Sequence, residues 1–125
     1  MIDILDFDYD TANLFVKADG EDLTIKVKSA FTPDAIQAAQ YFSMCCEAAK
    51  EQGIALDEEV DNFGVKVSKQ TETYQKLVAQ YAEKLIADWP IDAPVFESLF
   101  DNQSLSWSII RKSDERAKEF IAKKS

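Results

Sequence analysis

The chain has 125 residues, of which 46% are hydrophobic and 30% charged, and this balance is typical of one globular domain rather than of a collagenous or disordered protein. Its 14 basic and 23 acidic residues give a formal net charge of -9, which opposes binding to nucleic acid or to an anionic membrane. No apolar run approaches the roughly 20 residues that span a bilayer and no signal peptide is recognisable, so we expect a cytoplasmic protein.

Residues 1–12 are dominated by carboxylates. Aspartates occupy positions 3, 6, 8 and 10, and apolar residues separate them. Such a segment is either an edge strand with a charged outer face or an extended acidic arm that becomes ordered on a partner, and we favour the arm.

Residues 13–28 have the pattern of a β-hairpin. Apolar and polar residues alternate on both sides of a turn at residues 19–22, which contains Asp-Gly. The second strand carries Leu23, Ile25 and Val27 on one face. Because an isolated hairpin is marginally stable in water, this face is expected to pack on helices or to join another sheet.

A long helix is predicted over residues 33–52. Thr32 is a suitable N-cap, Pro33 suits the first helical position, and Gly53 suits the position just past the end. We interpret Tyr41, Phe42 and Met44 as core, and the adjacent Cys45 and Cys46 as reduced packing residues. The apolar stripe expected to pack beneath the hairpin consists of Ile36, Ala39, Phe42 or Tyr41, Cys46 and Ala49.

Residues 53–64 contain acidic residues and no basic one, so we predict a mobile, solvated surface loop. A second helix is then predicted over residues 68–88, and it ends because Pro90 restricts Trp89. Its apolar face is expected to comprise Tyr74, Leu77, Val78, Tyr81, Leu85 and Ile86.

The remaining residues predict two further helices. Asp92 is the expected N-cap of a short helix that starts near residues 93–94 and breaks at residues 101–102. Ser104 is the expected N-cap of a longer helix, which a turn at residues 113–114 would divide. The residues expected to be buried are Val95, Phe96, Leu99 and Phe100 in the short helix, and Leu105, Ile109, Ile110, Ala117, Phe120 and Ile121 in the long one.

These elements predict an α+β fold, in which residues 33–125 form a helical body and the short hairpin of residues 13–28 precedes it. The whole chain is expected to be one domain. Helix is expected to account for about half of the residues or more.

The absence of histidine limits the enzymatic possibilities. Without it the chain has no Ser-His-Asp or Cys-His pair and no His-Glu-x-x-His helix, and three glycines cannot form a phosphate-binding loop. We therefore expect no enzymatic activity, no cofactor and no metal. A small carboxylate-dependent hydrolase is the hypothesis we rank last, because no general base is indicated by spacing.

The order of elements, with three short segments, resembles the tail assembly chaperones of long-tailed bacteriophages. Residues 85–92 (LIADWPID) are similar to the family's segment in which a helix ends at a tryptophan. Residues 95–102 (VFESLFDN) are similar to its following Leu/Phe helix, and residues 116–120 (RAKEF) occupy the place of its closing Arg-Ala-x-x-Phe stretch.

The resemblance implies a non-enzymatic protein of the host bacterial cytoplasm that keeps the tape measure protein soluble during tail assembly. It also implies contact with the tail tube protein, and production in a short and a frameshifted long form, of which this chain would correspond to the short one. Because such a chaperone coats a long partner, we expect a homo-oligomer, formed through an exposed hairpin edge or an aromatic helix face.

A chaperone for a helix with an apolar stripe needs an amphipathic groove. We predict partner binding at Trp107, with neighbours Phe100 and Arg111, and at Tyr74 and Tyr81. Trp107 is placed off the stripe of its helix, between Ser106 and Ser108, and is therefore expected to be an exposed interface anchor.

An acidic regulator or inhibitor that mimics nucleic acid and binds a basic protein is the alternative function. Residues 1–22 and residues 34–61 motivate it, since each range contains seven acidic residues and one lysine. Competition with DNA for a basic target would distinguish this hypothesis from the chaperone.

Overall fold

The computed structural model describes residues 10–124, with side chains described as far as residue 122. The predicted hairpin is confirmed: β1 (Thr11–Ala18) and β2 (Glu21–Lys28) pair antiparallel, with Leu14 opposite Ile25. Thr11 and Ala12 lie in β1 rather than in the acidic arm. Residues 1–9, the rest of that predicted arm, lie outside the described residues.

A two-residue turn closes this hairpin. Asp19 and Gly20 both have positive φ, 52° and 82°, which is the conformation that joins two twisted strands most directly. Glu21 and Asp22, predicted to belong to the turn, already lie in β2. Ile25 and Val27 are fully buried, so the inner face of β2 is the one predicted.

The first helix, α1 (Pro33–Glu51), has the predicted ends. The Thr32 hydroxyl accepts a hydrogen bond from the Ala35 backbone N–H at 3.4 Å, and Gly53 has a φ of 76° just beyond the helix. The predicted stripe is confirmed at Phe42, which packs against the core, and at Ala49, which is buried. Its first part was wrong, because Ala35 and Ala38 are buried while Ile36 and Tyr41 are about half exposed. Met44 is exposed as well, so the prediction that Tyr41 and Met44 form core was also wrong.

The predicted acidic loop is instead the first half of a second hairpin. Strands β3 (Asp57–Asn62) and β4 (Val65–Gln70) pair antiparallel around a two-residue turn at Phe63 and Gly64. Residues 68–70, assigned to a helix by their sequence, belong to β4. The prediction of a loop was wrong. Acidic residues are rare in strands, so their abundance here did not indicate a strand, although Val60 pairs with Val67.

The second helix is shorter than predicted. α2 (Glu72–Lys84) starts after Thr71, whose hydroxyl accepts a hydrogen bond from the Tyr74 N–H, and β5 (Ile86–Asp88) follows it. β5 pairs antiparallel with β2 and completes a three-stranded sheet in the order β1-β2-β5. Residues 86–88 are therefore strand because the outer edge of β2 offers them hydrogen-bonding partners.

Two more helices complete the chain. α3 (Val95–Asp101) begins after Pro94, and the predicted Asp92 cap was wrong. α4 (Gln103–Lys124) begins after Asn102, whose side-chain oxygen accepts a hydrogen bond from the Leu105 N–H at 3.0 Å, so Ser104 is not its N-cap. The predicted break at residues 101–102 is confirmed.

The predicted turn at residues 113–114 is absent, because α4 runs through it without interruption. Ser113 is buried there, and its hydroxyl donates a hydrogen bond to the Lys28 carbonyl at 2.7 Å. The Ala30 N–H donates in turn to the Ser113 carbonyl at 3.1 Å. Ser113, which was predicted to lie in a turn, therefore connects α4 to the end of β2 by hydrogen bonds.

The core lies where the three-stranded sheet meets α1, α2, α3 and α4. Its fully buried members include Ile25, Val78, Leu85, Leu99 and Ile109. The predicted α+β class is confirmed. The helical body, however, is interrupted by three strands that the sequence pattern did not indicate, and Ile121 of the predicted inner face is exposed.

Candidate partner-binding surface

Three of the five residues predicted to bind a partner belong to one row of aromatic rings. Tyr74 and Tyr81 project from α2, and Phe42 of α1 lies beside both, with ring centroids 6.0 Å and 4.9 Å away. Trp107 of α4 extends the row, since its ring lies 6.4 Å from that of Tyr74. The row therefore crosses three helices, and Phe42, which was predicted as core, joins its members.

Trp107 is half-buried rather than exposed, and it packs against the core. Its predicted polar surroundings are also different, because Ser106 is fully buried and its hydroxyl donates a hydrogen bond to the Leu99 carbonyl at 2.8 Å. Serine was interpreted as a surface residue because it is polar, but inside a helix its hydroxyl can be satisfied by a backbone carbonyl.

The other two predicted residues lie apart from the aromatic row. Phe100 stacks on Phe96 of the same helix, with centroids 6.0 Å apart and planes 16° from parallel. Arg111 is exposed, and its guanidinium donates a hydrogen bond to the Ser108 hydroxyl at 3.3 Å. Neither arrangement places these residues on the same feature as Tyr74 and Tyr81.

A groove opens beside the aromatic row, between α1 and the segment that enters β3. Its volume is about 370 Å³. Apolar atoms come from Phe42, Cys46, Leu56 and Tyr74, and the charged side chains Glu47, Lys50 and Asp57 surround them. We call this feature the α1–β3 groove.

Two groups that line the groove have a raised pKa. Burial raises the pKa of Tyr74, and the neighbouring Cys46 and Asp57 raise it further. Burial likewise raises the pKa of the Cys46 thiol, which Lys50 only partly offsets. Both groups are therefore neutral at physiological pH, and the lining favours apolar contacts over ionic ones.

Leu56 is a residue of the groove that the sequence pattern did not indicate. Leu56 lies in the segment predicted as a loop, immediately before β3, and its carbonyl accepts a hydrogen bond from the Thr71 N–H at 3.0 Å. The Thr71 hydroxyl also donates to the Ala55 carbonyl at 2.8 Å. This pair of bonds holds the entry to β3 against the start of α2 and thereby forms one wall of the groove.

Exposed apolar side chains continue on the outer face of α1. Met44 is 69% exposed, and Tyr41 carries the Lys84 ammonium 3.6 Å from its ring centroid. Cys45 and Cys46 are free thiols, as predicted. Within residues 10–124, no group of three or more acidic or cysteine side chains is arranged to hold a metal ion.

Comparison with protein families, with curated proteins and with solved structures finds no significant match to this chain. None of the helices within the described residues combines the length and the apolar character that crossing a bilayer requires.

Proposed function

We propose that this protein is a tail assembly chaperone of a long-tailed bacteriophage. It acts without catalysis in the host cytoplasm, where it binds the tape measure protein and keeps it soluble while the tail is built. The sequence resemblance over residues 85–122 suggests this role, and the α1–β3 groove supports it. The tail tube protein is a second partner under this proposal.

The observation that carries the proposal is an accessible apolar groove with charged edges. An amphipathic helix places its apolar stripe in such a groove and its polar face towards solvent. Phe42, Leu56 and Tyr74 provide the apolar contacts, and Glu47 and Lys50, whose charged groups lie 3.8 Å apart, border them. A tape measure protein, as a long helical chain with an apolar stripe, matches this geometry.

The net charge of -9 supports the proposal in a second way. An aggregation-prone helical partner becomes soluble when its apolar stripe is covered by a protein whose outer surface is strongly charged.

Co-expression with the tape measure protein of the same phage or prophage tests the proposal. We expect the parent protein to raise the soluble fraction of the tape measure protein and to remain bound to it through purification. Leu56→Glu places a charge in the groove without changing the core, and it should weaken binding by about tenfold or more.

Met44→Glu is the matched control, because it introduces the same charge on the exposed face of α1 outside the lining of the groove. It should bind like the parent. A parent protein that leaves the tape measure protein insoluble contradicts the function. A folded Leu56→Glu variant that binds as tightly as the parent contradicts the groove as the binding site.

The acidic mimic of nucleic acid is the alternative function, and the exposed carboxylates of β3 are the observation that favours it. Two features make it the weaker proposal. Asp34 pairs with Lys28 at 3.2 Å, and two of the four β3 carboxylates, Glu58 and Asp61, lie opposite lysines of β4, so part of the acidic charge is balanced locally. Failure to displace DNA from a basic target protein would rule it out.

A further inference from the structure

The second hairpin, β3–β4, is a sheet of two strands that stands apart from the core. It shares no strand with the β1-β2-β5 sheet, and within residues 10–124 the outer edge of each of its strands has no neighbouring strand. Almost all of its residues are exposed, and only Val60 and Gln70 are half-buried. Two backbone edges of a short sheet are therefore open to pairing.

One face of this hairpin is apolar at its centre. Val60 lies opposite Val67, and Val65 lies on the same face two pairs nearer the turn. Val65 is 61% exposed, and Phe63 at the tip is fully exposed. A two-stranded hairpin with an uncovered apolar face is marginal by itself, and additional strands would stabilise it.

The two strands carry opposite charge. β3 contains four carboxylates and no basic residue, and β4 contains Lys66 and Lys69 and no acidic residue. Inside the hairpin, Asp61 lies opposite Lys66, and Glu58 lies opposite Lys69. Opposite charges that face each other across a strand pair stabilise it, and like charges destabilise it.

Charged side chains on an exposed edge strand usually prevent pairing between protein copies, because the two edges that meet carry the same charge. Here the charge pattern permits one pairing and opposes the others. Two β3 edges would bring carboxylates against carboxylates, and two β4 edges would bring lysines against lysines. Only the β4 edge of one copy and the β3 edge of another are complementary.

We infer that the β3–β4 hairpin is a head-to-tail self-association element, in which β4 of one copy pairs antiparallel with β3 of a second copy. If the register inside the hairpin is repeated between copies, Lys66 and Lys69 each lie between two carboxylates and Val67 lies between two Val60 side chains. The contact joins different edges, so it is heterologous, and it produces rings or open chains rather than a closed two-fold dimer.

Sedimentation and light scattering of the full chain over about a hundredfold range of concentration test this inference. The parent should form species larger than a dimer. Reversing both β4 charges, with Lys66→Glu and Lys69→Glu, should raise the apparent dissociation constant by about tenfold or more.

A variant with exchanged charges keeps the test valid if the reversed hairpin fails to fold. Glu58→Lys, Asp61→Lys, Lys66→Glu and Lys69→Glu together restore opposite charges both inside the hairpin and between copies. This variant should therefore assemble with itself.

Gln37→Glu, Gln40→Glu, Gln80→Glu and Ser104→Asp together are the control, since they make the same change in net charge at exposed positions outside the strands, and this variant should assemble like the parent. A parent that stays monomeric at every concentration overturns the inference. So does a parent that stops at a dimer, a β4 reversal that assembles normally, or an exchanged variant that folds but stays monomeric. The proposed chaperone function survives each of these results, because it depends on the groove.

Discussion

Substitution of Trp107 would affect stability as well as partner binding, because the side chain is half-buried. Its ring packs against the core and lies 6.4 Å from that of Tyr74, so truncation would remove packing as well as any contact with a partner. Replacing a buried aromatic residue by alanine typically costs about 3 to 5 kcal/mol of stability, and a half-buried one costs part of that. Leu56 in the α1–β3 groove is therefore a cleaner probe of binding than Trp107.

The aromatic row predicts a loss of stability at alkaline pH. Burial raises the pKa of Tyr81, and the carboxylate of Asp114 raises it further, while Tyr74 is shifted in the same direction. Above about pH 10, the ordinary pKa of tyrosine, the unfolded chain loses these protons while the folded protein retains them. The unfolded state then binds fewer protons, so the free energy of unfolding decreases as pH rises.

Tyr81→Phe should reduce this alkaline loss and leave stability at neutral pH nearly unchanged, because the neutral ring is kept. Chemical denaturation of both proteins at about pH 8 and about pH 10.5 measures the difference. Equal alkaline losses in parent and variant would show that Tyr81 does not contribute.

At the scale of elements, the β3–β4 hairpin depends on a turn that its sequence fits poorly. Both turn residues have positive φ, 55° at Phe63 and 83° at Gly64. Glycine adopts this conformation readily, whereas a bulky residue at positive φ stores strain of about 1 kcal/mol or more. The fully exposed Phe63 ring has no packing in the monomer that would offset the strain.

Phe63→Asn should stabilise the hairpin by about 1 kcal/mol, because asparagine followed by glycine is favoured in this turn. Amide hydrogen exchange of residues 57–70, measured at a concentration where the protein is monomeric, should slow by about fivefold. Gly64→Ala should have the opposite effect, since alanine is strained at a φ of 83°. Faster exchange in Phe63→Asn would mean that the ring stabilises the hairpin after all.

For the whole molecule, we expect repulsion from the net charge to affect the free energy of unfolding more than the local ion pairs do. The pairs are largely exposed, as in Lys17–Asp22 at 3.8 Å and Lys76–Glu72 at 3.5 Å, and such pairs contribute about 0 to 1 kcal/mol each. A net charge of -9 on a domain of this size produces repulsion over the entire surface.

Salt should therefore stabilise the fold. Raising sodium chloride from about 20 mM to about 500 mM should increase the free energy of unfolding by about 1 kcal/mol, because repulsion is screened more than the weak pairs are. Glu51→Gln with Glu115→Gln lowers the negative charge at two exposed positions and should reduce the effect of salt. A decrease in stability with added salt would mean that the ion pairs dominate.

The amino-acid sequence by itself determined those features that depend on a few adjacent residues. The first hairpin follows from alternation around Asp19-Gly20, the ends of α1 follow from Thr32, Pro33 and Gly53, and the break before α4 follows from residues 101–102. Each rests on capping or turn geometry that neighbouring side chains decide. Tyr74 and Tyr81 could be predicted to share one face of a helix, because they lie about two helical turns apart.

The tertiary structure alone decided the features that depend on distant residues. Ile86–Asp88 is a strand because β2 has an edge to pair with, and Ser113 continues a helix because the Lys28 carbonyl accepts its hydrogen bond. The α1–β3 groove requires Leu56 to meet Phe42 across the chain. Pairing and packing of this kind leave only a weak local pattern, since each partner's preference is satisfied by a residue far away in sequence.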